Sequence, residues 1–482
     1  MLPPRKAPHA SPTLQLSPPH IPTPVAQPAG DRRPHLARWD PWALAAVLFA
    51  AYATVSVGRY RHMTTSSWDL GIFEQVVRAY AHLRAPVSDL KGPGFDILGD
   101  HFSPVTALLA PLYRLFPSPV TLLVAQAALF ALSAVPVTRA AARLLGRRRG
   151  LALGLAYGLS WGVQRAVDFD FHEICFAVPL IAFSLEALLA DRRRAALCWA
   201  LPLVLVKEDL GLTLAAIALV VAWRSRGSSR RTGAYALGVA VFGVAATVLV
   251  LTVVIPSFNA SGGYDYWNKV SESGSPLDGV GTKLRTLAWL LIPTTGLLAL
   301  RSPLLLVALP TLGWRFLSGD AHYWGTDWHY SAVLMPVVFL ALADAIPSAR
   351  RSTRAWLRSY AAHLPAAVAA AALALTTSLP LAQLTQAEVY REPAAVSGVE
   401  RLLVRIPDDA TVEANIGPIS RLTSRCRVFW LGGTQGIAPD YIALENIDDR
   451  YRDPVGYARQ LHPRAEYAVA GEANGYLVLE RR

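Results

Sequence analysis

"HFSPVTALLAPLYRLFPSP", residues 101–119, is the stretch on which the fold turns. It is apolar enough to cross a membrane, and whether it crosses sets the side on which every later loop lies. The chain around it is 53% hydrophobic and 17% charged, with a mean hydropathy of +0.32. Soluble domains carry roughly 25% charged residues, so this composition reads as a polytopic membrane protein. A spanning helix needs about 20 mostly apolar residues, with roughly 17 tolerated. The segments that approach this are 42–59, 119–141, 150–166, 174–190, 208–223, 234–255, 284–300, 303–317, 331–347 and 361–381. Segment 195–206 is apolar but short, and reads as a span or half of a broken helix.

Loop charge orients these segments. "GRRRG" at 146–150, "DRRR" at 191–194, "RSRGSSRR" at 224–231, Arg301 and "SARRSTRAWLR" at 348–358 are basic. The positive-inside rule makes them cytoplasmic. The loops 60–118, 165–173, 207–209, 256–283 and 318–330 carry acids, aromatics and histidines instead. With 195–206 counted, the two sets alternate without a break. That predicts about eleven spans, with the N-terminus inside and the C-terminus outside. If 101–119 crossed, "GRRRG" would move outside. It is therefore read as an amphipathic helix at the outer interface. "DLGIFEQVVRAYAHL", 69–83, places Leu70, Phe73, Val77 and Tyr80 on one helical face. The first outer loop thus holds two interfacial helices.

The net charge of +12 follows from these basic loops and does not point to nucleic acid. Three cysteines, Cys175, Cys198 and Cys426, show no disulfide or zinc spacing. Residues 1–40 are rich in Pro and read as a disordered cytoplasmic tail ahead of an uncleaved signal anchor. Residues 41–382 form the transmembrane domain. From 387 to 482, short strand-like runs alternate with Pro, Gly and Asp turns, as in a small soluble α/β domain outside the membrane.

The outer loops concentrate the polar chemistry. "TTSSWDLGIFEQ", Thr64–Gln75, carries Asp69 and Glu74 among large apolar residues. Ser66-x-x-Asp69 fits a capping box; the alternative for Asp69 is a catalytic base facing a lipid-borne substrate. "VKEDLG" sets Lys207, Glu208 and Asp209 between two apolar segments, where charge is costly and marks function by default. Lys207 there either forms an internal salt bridge or meets an anionic ligand such as a lipid phosphate. In "DFDFHE", an extended backbone would put Asp168, Asp170 and His172 on one face. Carboxylates with an imidazole could hold Mg2+ or Mn2+; the alternative is an ordinary polar turn. Arg165, His101, His329 and Tyr330 are the other candidate substrate contacts, together with Glu74, Glu208 and Asp209. No protease, ATPase, hydrolase or dehydrogenase fingerprint is present.

"WDLGIFEQ", "GDHFSPVTALLAPLYRLFPSP", "DFDFHE", "VKEDLG" and "HYSAVLMPVV" resemble the recurrent motifs of an uncharacterised family of bacterial membrane proteins, a domain of unknown function. That family is similar to the GT-C superfamily, integral-membrane glycosyltransferases that use polyprenyl-phosphate-linked sugars. The resemblance covers about residues 42–470, and the Arg/Ala/Pro-rich composition is similar to actinobacterial proteins. It implies a multi-pass plasma-membrane enzyme that moves a sugar from a polyprenyl-phosphate donor to a cell-envelope glycan, lipid or protein. Asp69 matches the first-loop acid of GT-C enzymes, a general base or metal-site acid. Lys207 resembles their basic residue near the lipid phosphate, and Arg165 is the second cation read as stabilising the phosphate leaving group. Asp170, His172 and Glu173 stand where a second acid is expected, so that Asp69, Asp170, His172 and Glu173 form the implied metal set. "DHFSP" replaces the double-proline motif of better-known members, and their oligosaccharyltransferase-type tryptophan motif is absent. The rival readings are a transporter or flippase of lipid-linked or anionic solutes, and a non-catalytic envelope scaffold.

Overall fold

A computed structural model describes residues 38–482 except 67, 228, 268–274, 276 and 392. The expected tail, up to residue 37, lies outside the described residues. The membrane region opens with helix α1, Asp40–Arg61, which has Pro41 in its first turn and Arg59 and Arg61 in its last. Pro suits the first turn because its missing N–H has no helical partner there. Helix α2, Trp68–Ala81, follows. Within 101–119 the chain forms a 3-10 segment, Pro104–Leu109, and a short helix α3, Ala110–Leu115, and no single long helix. Both predicted interfacial segments are thus helical.

Helix α4, Pro119–Leu145, starts at a Ser118 side-chain cap and stops at Gly146, whose φ of 89° suits glycine. Helices α5, Arg147–Gly158, α6, Trp161–Asp168, and α7, Ile174–Leu189, come next. Among the described residues, five helices are long and apolar enough to cross a membrane: Asp40–Arg61, Pro119–Leu145, Arg230–Phe258, His329–Arg350 and Ala355–Thr376. Shorter apolar helices cover Ile174–Leu189, Leu210–Arg224 and Pro303–Leu317. Several expected spans are broken. Segment 150–166 is split between α5 and α6 at Ser160. Segment 195–206 is a helix, Arg193–Ala200, that tightens to a 3-10 turn at Pro202. Segment 284–300 ends where Gly296 and Leu297 both turn left-handed. Apolar composition reports burial in lipid or protein, and does not report whether one helix runs through.

The C-terminal part is a five-stranded mixed sheet. Its strands are β1, Thr411–Ala414; β2, Arg427–Trp430; β3, Tyr441–Glu445; β4, Tyr467–Ala473; and β5, Tyr476–Arg481. The spatial order is β2-β1-β3-β5-β4. β1 pairs in parallel with β2 and β3, and β5 pairs antiparallel with β3 and β4. This sheet domain packs on α2, whose Ile72 and Val76 join the core that holds Val412, Ile419 and Val428. Gln75 Nε2 donates to the Val428 carbonyl at 2.8 Å, and Arg427 makes two 2.8 Å bonds to Asp89. A Cβ on Gly71 would come within 2.5 Å of the Ile419 Cγ2, which shows how closely the two surfaces meet. Asp69 lies on this same helix, so the sheet domain and Asp69 share one end of the bundle.

Candidate active site

Asp69 is the second residue of α2. That is one position too early for the capping box expected with Ser66. In the first turn its charge also complements the helix dipole. The side chain faces the turn between α6 and α7, with Oδ2 3.9 Å from His172 Nε2. Burial raises its pKa, with His172 and Lys207 working the other way and Glu173 adding to the rise.

That turn is not the extended strip the alternation suggested. Asp168 closes α6 and pairs with Arg59 at 3.1 Å. Asp170 adopts φ 78°, a left-handed conformation that Asp tolerates better than most residues. Its carbonyl accepts from Gln126 Nε2. Gln126 also accepts the His172 amide at 2.9 Å. One buried glutamine of α4 therefore fixes the turn from both sides and aims His172 toward α2.

Glu173 stands behind His172. Its Oε2 is 2.7 Å from His172 Nδ1. The Ile174 amide donates to the same Nδ1, at 3.5 Å. Nε2, on the other side of the ring, faces Asp69. A carboxylate behind an imidazole is the usual device for orienting a metal-binding histidine. The other oxygen of Glu173 accepts from Lys207 Nζ at 2.9 Å, and Lys207 lies 3.6 Å from Glu208. These partners outweigh burial, so Glu173 is held well below the usual carboxylate range. Lys207 is held well above the usual amine range against the pull of burial.

His329 completes the cluster. Its ring stacks on His172 with centroids 3.8 Å apart. It is 2% exposed, and neither ring nitrogen has a hydrogen-bond partner among the described residues. Donor atoms of Asp69, His172 and His329 all lie within 4.8 Å of one another, a spacing that could hold a metal ion.

The metal set expected from the motifs is therefore regrouped. Asp69 and His172 come together, and His329 joins them from a loop more than 150 residues away. Glu173 sits on the far side of His172, occupied by Lys207. Asp170, at the left-handed turn, is not in that three-residue group. One carboxylate with two imidazoles suits Zn2+ or Mn2+ better than Mg2+, which prefers oxygen ligands.

The candidate substrate residues divide as well. His101 lies by the cluster, 6.5 Å from His172 between ring centroids and 3.9 Å from Glu208. Burial and the charge of Lys207 push it down to about 3, so it is neutral. Glu208 accepts from the Tyr264 hydroxyl at 3.1 Å. Asp209 directly precedes the helix Leu210–Arg224. Tyr330 packs against His329 at 4.2 Å. Arg165, on α6, reaches Asp327 at only 4.0 Å, and that acid is largely exposed. Glu74 is not in the cluster. It is fully buried and accepts from Tyr113 at 2.9 Å and from Thr423 of the sheet domain. Its position five residues after Asp69 turns it toward the domain contact. Gln126 and Lys91, which bonds Asp100 at 3.0 Å, were not singled out from sequence. A lone glutamine in "TLLVAQAALF" was the available signal.

The family of predicted membrane proteins named DUF2079 matches residues 59–478. No curated protein matches the sequence. Among solved structures, the chain is similar to ArnT from Cupriavidus metallidurans bound to undecaprenyl phosphate. The identity is 15%, over 90% of this chain and 97% of that one, with a TM-score of 0.54. The apo form of that ArnT gives 15% identity over the same shares and 0.52. The arabinofuranosyltransferase AftD from Mycobacteria gives 15% over 92% of this chain and 40% of that one, at 0.49. The ArnT likeness is one of fold, in line with the GT-C-related architecture the motifs implied. With most of its length matched, the chain belongs to the DUF2079 family of predicted membrane proteins.

Proposed function

We propose that the protein is a membrane glycosyltransferase that moves a sugar from a polyprenyl-phosphate donor to a cell-envelope glycan, lipid or protein. The observation that carries this reading is the Asp69–His172–His329 group, with both histidines buried and both His329 nitrogens unpartnered among the described residues. It sits in a fold shared with a protein whose structure holds undecaprenyl phosphate. In the reaction, the acceptor oxygen forms a bond to the sugar carbon as the bond to phosphate breaks. The phosphate leaves with the electron pair, and the acceptor proton passes to Asp69. A base whose pKa lies nearer the working pH transfers a proton more effectively, and burial moves Asp69 in that direction. Glu173 lies against Nδ1 of His172 and leaves Nε2 toward Asp69. Arg165, weakly paired with Asp327, is the cation most available to the leaving phosphate. Lys207 is neutralised by Glu173 and supports the site's charge balance instead.

A Zn2+ or Mn2+ ion held by Asp69, His172 and His329 would act as a Lewis acid on a bound hydroxyl. In this reading the chain crosses the membrane eleven times. The basic loops and N-terminus are cytoplasmic, and Asp69 and the sheet domain lie outside.

Purified protein is incubated with polyprenyl-phosphate sugars and envelope fractions, and transfer is followed by radiolabel. Turnover that falls by about 10²–10⁴ in Asp69→Asn supports the reading. No transfer with any donor, together with solute counterflow in liposomes, would replace it with the transporter reading.

A further inference from the structure

α4 and α7 run from the Asp69 cluster to the opposite end of the bundle. Gln126 and Arg139 are thirteen residues apart on α4, as are Glu173 and Glu186 at the start of and within α7. At 1.5 Å per residue, each pair is separated by about 20 Å. At the far end, Glu186 is buried and accepts from Arg139 Nη2 at 2.7 Å and Arg143 Nη2 at 2.9 Å. Arg192 approaches to 3.8 Å, beyond bonding distance. Three guanidiniums thus surround a single carboxylate. These four side chains and Ala190 line a shallow cavity, widely open at the surface, of about 430 Å³. The Nε of Arg139 is buried there without a hydrogen-bond acceptor among the described residues. Beside the cavity, the Arg139 guanidinium lies 5.7 Å from the Phe183 ring, which stacks on the exposed Trp199 at 4.7 Å. The flanking stretches 139–149 and 186–194 hold eight arginines against two acids.

An excess of cations, an unfilled donor and a cavity call for an anion. Guanidinium forks match phosphate geometry, and an aromatic pair at the edge of an apolar helix bundle suits the headgroup level of a bilayer. Basic pockets between transmembrane helices bind anionic lipid headgroups. We propose that Arg139, Arg143 and Arg192 form a phosphate site for an anionic lipid headgroup, on the membrane surface opposite Asp69. It clamps the ends of α4 and α7, the helix that carries Gln126 and the helix that starts directly after Glu173 at the candidate active site. This proposal does not depend on the transferase reading.

The test is native mass spectrometry of the full chain released from detergent after titration with phosphatidylglycerol or phosphatidylcholine. Wild type is expected to retain phosphatidylglycerol in preference to phosphatidylcholine. Arg192→Ala, which removes a half-exposed side chain and leaves Glu186 with two partners, is expected to weaken retention about fivefold. Arg139→Gln should add a further loss, and circular dichroism reports whether that variant folds. Inorganic phosphate distinguishes the source: weak competition at millimolar concentration supports a lipid phosphate. Phosphate binding as tight as the lipid's would overturn the lipid assignment. Equal retention of the two lipids, or unchanged retention in a folded Arg192→Ala protein, would overturn the site.

Discussion

Glu173→Gln tests the centre of the candidate site. The carboxylate is fully buried and touches two cationic or ionisable partners, Lys207 at 2.9 Å and His172 at 2.7 Å. The amide keeps the shape but removes the charge. Lys207 then retains Glu208, at 3.6 Å, and the nearby charge of Asp209. Removing one member of a buried ion pair costs about 3–5 kcal/mol, because the other charge is left uncompensated. The remaining Glu208 contact argues for the lower end, about 3 kcal/mol. Lys207→Met alone should cost a similar amount by stranding Glu173. The double variant replaces the pair by neutral groups of similar size, and such replacements are often close to neutral. The expectation is thus strong coupling: single losses of about 3 kcal/mol each, and a double loss well below their sum. The assay is equilibrium unfolding in mixed micelles, with each variant measured under identical lipid conditions. Single losses that simply add, to within about 0.5 kcal/mol, would falsify the Glu173–Lys207 pairing.

The remaining predictions address the metal, the domain contact and pH. His329→Gln should leave the fold intact and lower Zn2+ or Mn2+ binding by about tenfold or more, read by metal content after dialysis; full retention would remove His329 from the ligand set. Gly71→Ala sets a helix-propensity gain of about 1 kcal/mol against overpacking of about 1–3 kcal/mol on Ile419 and Leu90. With 2.5 Å to Ile419 Cγ2 the clash should win, and limited proteolysis should release the sheet domain faster. Burial raises Glu74 from 4.5 to about 7 despite its hydroxyl donors Thr423 and Tyr113. The folded state therefore binds a proton that the unfolded state has lost between those two values. Stability should fall as pH rises from about 4.5 to about 7, by roughly 3 kcal/mol for that difference, and then level off. Thermal unfolding of Glu74→Gln should lack this slope; an identical slope in the variant would assign it to another group.

The chain's class was legible in its composition, because membrane burial requires long apolar stretches and leaves charge to the loops. The α2 helix and the change to an α/β sheet domain were legible for a related reason: periods of 3.6 and 2 are written in nearby residues. Asp69 was visible as an acid among Trp68, Leu70 and Ile72, where charge is expensive. His329 could be named as a candidate, but nothing local tied it to Asp69 or His172. Their meeting depends on Gln126 gripping the 166–172 turn from a third element. Such contacts leave no periodic trace.

The two acids of the "WDLGIFEQ" loop show the division most clearly. Sequence alone determined that Asp69 and Glu74 share one amphipathic helix after the first span. Only the packing decided that Asp69 faces two histidines, while Glu74, five residues on, is buried against Thr423. The left-handed turn at Asp170 was likewise decided by tertiary bonding, through Gln126. Apolar runs were read as spans, yet Ser160, Pro202 and the left-handed pair at Gly296 and Leu297 broke several of them. A local sequence sets which faces are apolar; which of those faces meet is settled by long-range packing, where a few buried hydrogen bonds and ion pairs outweigh local preference.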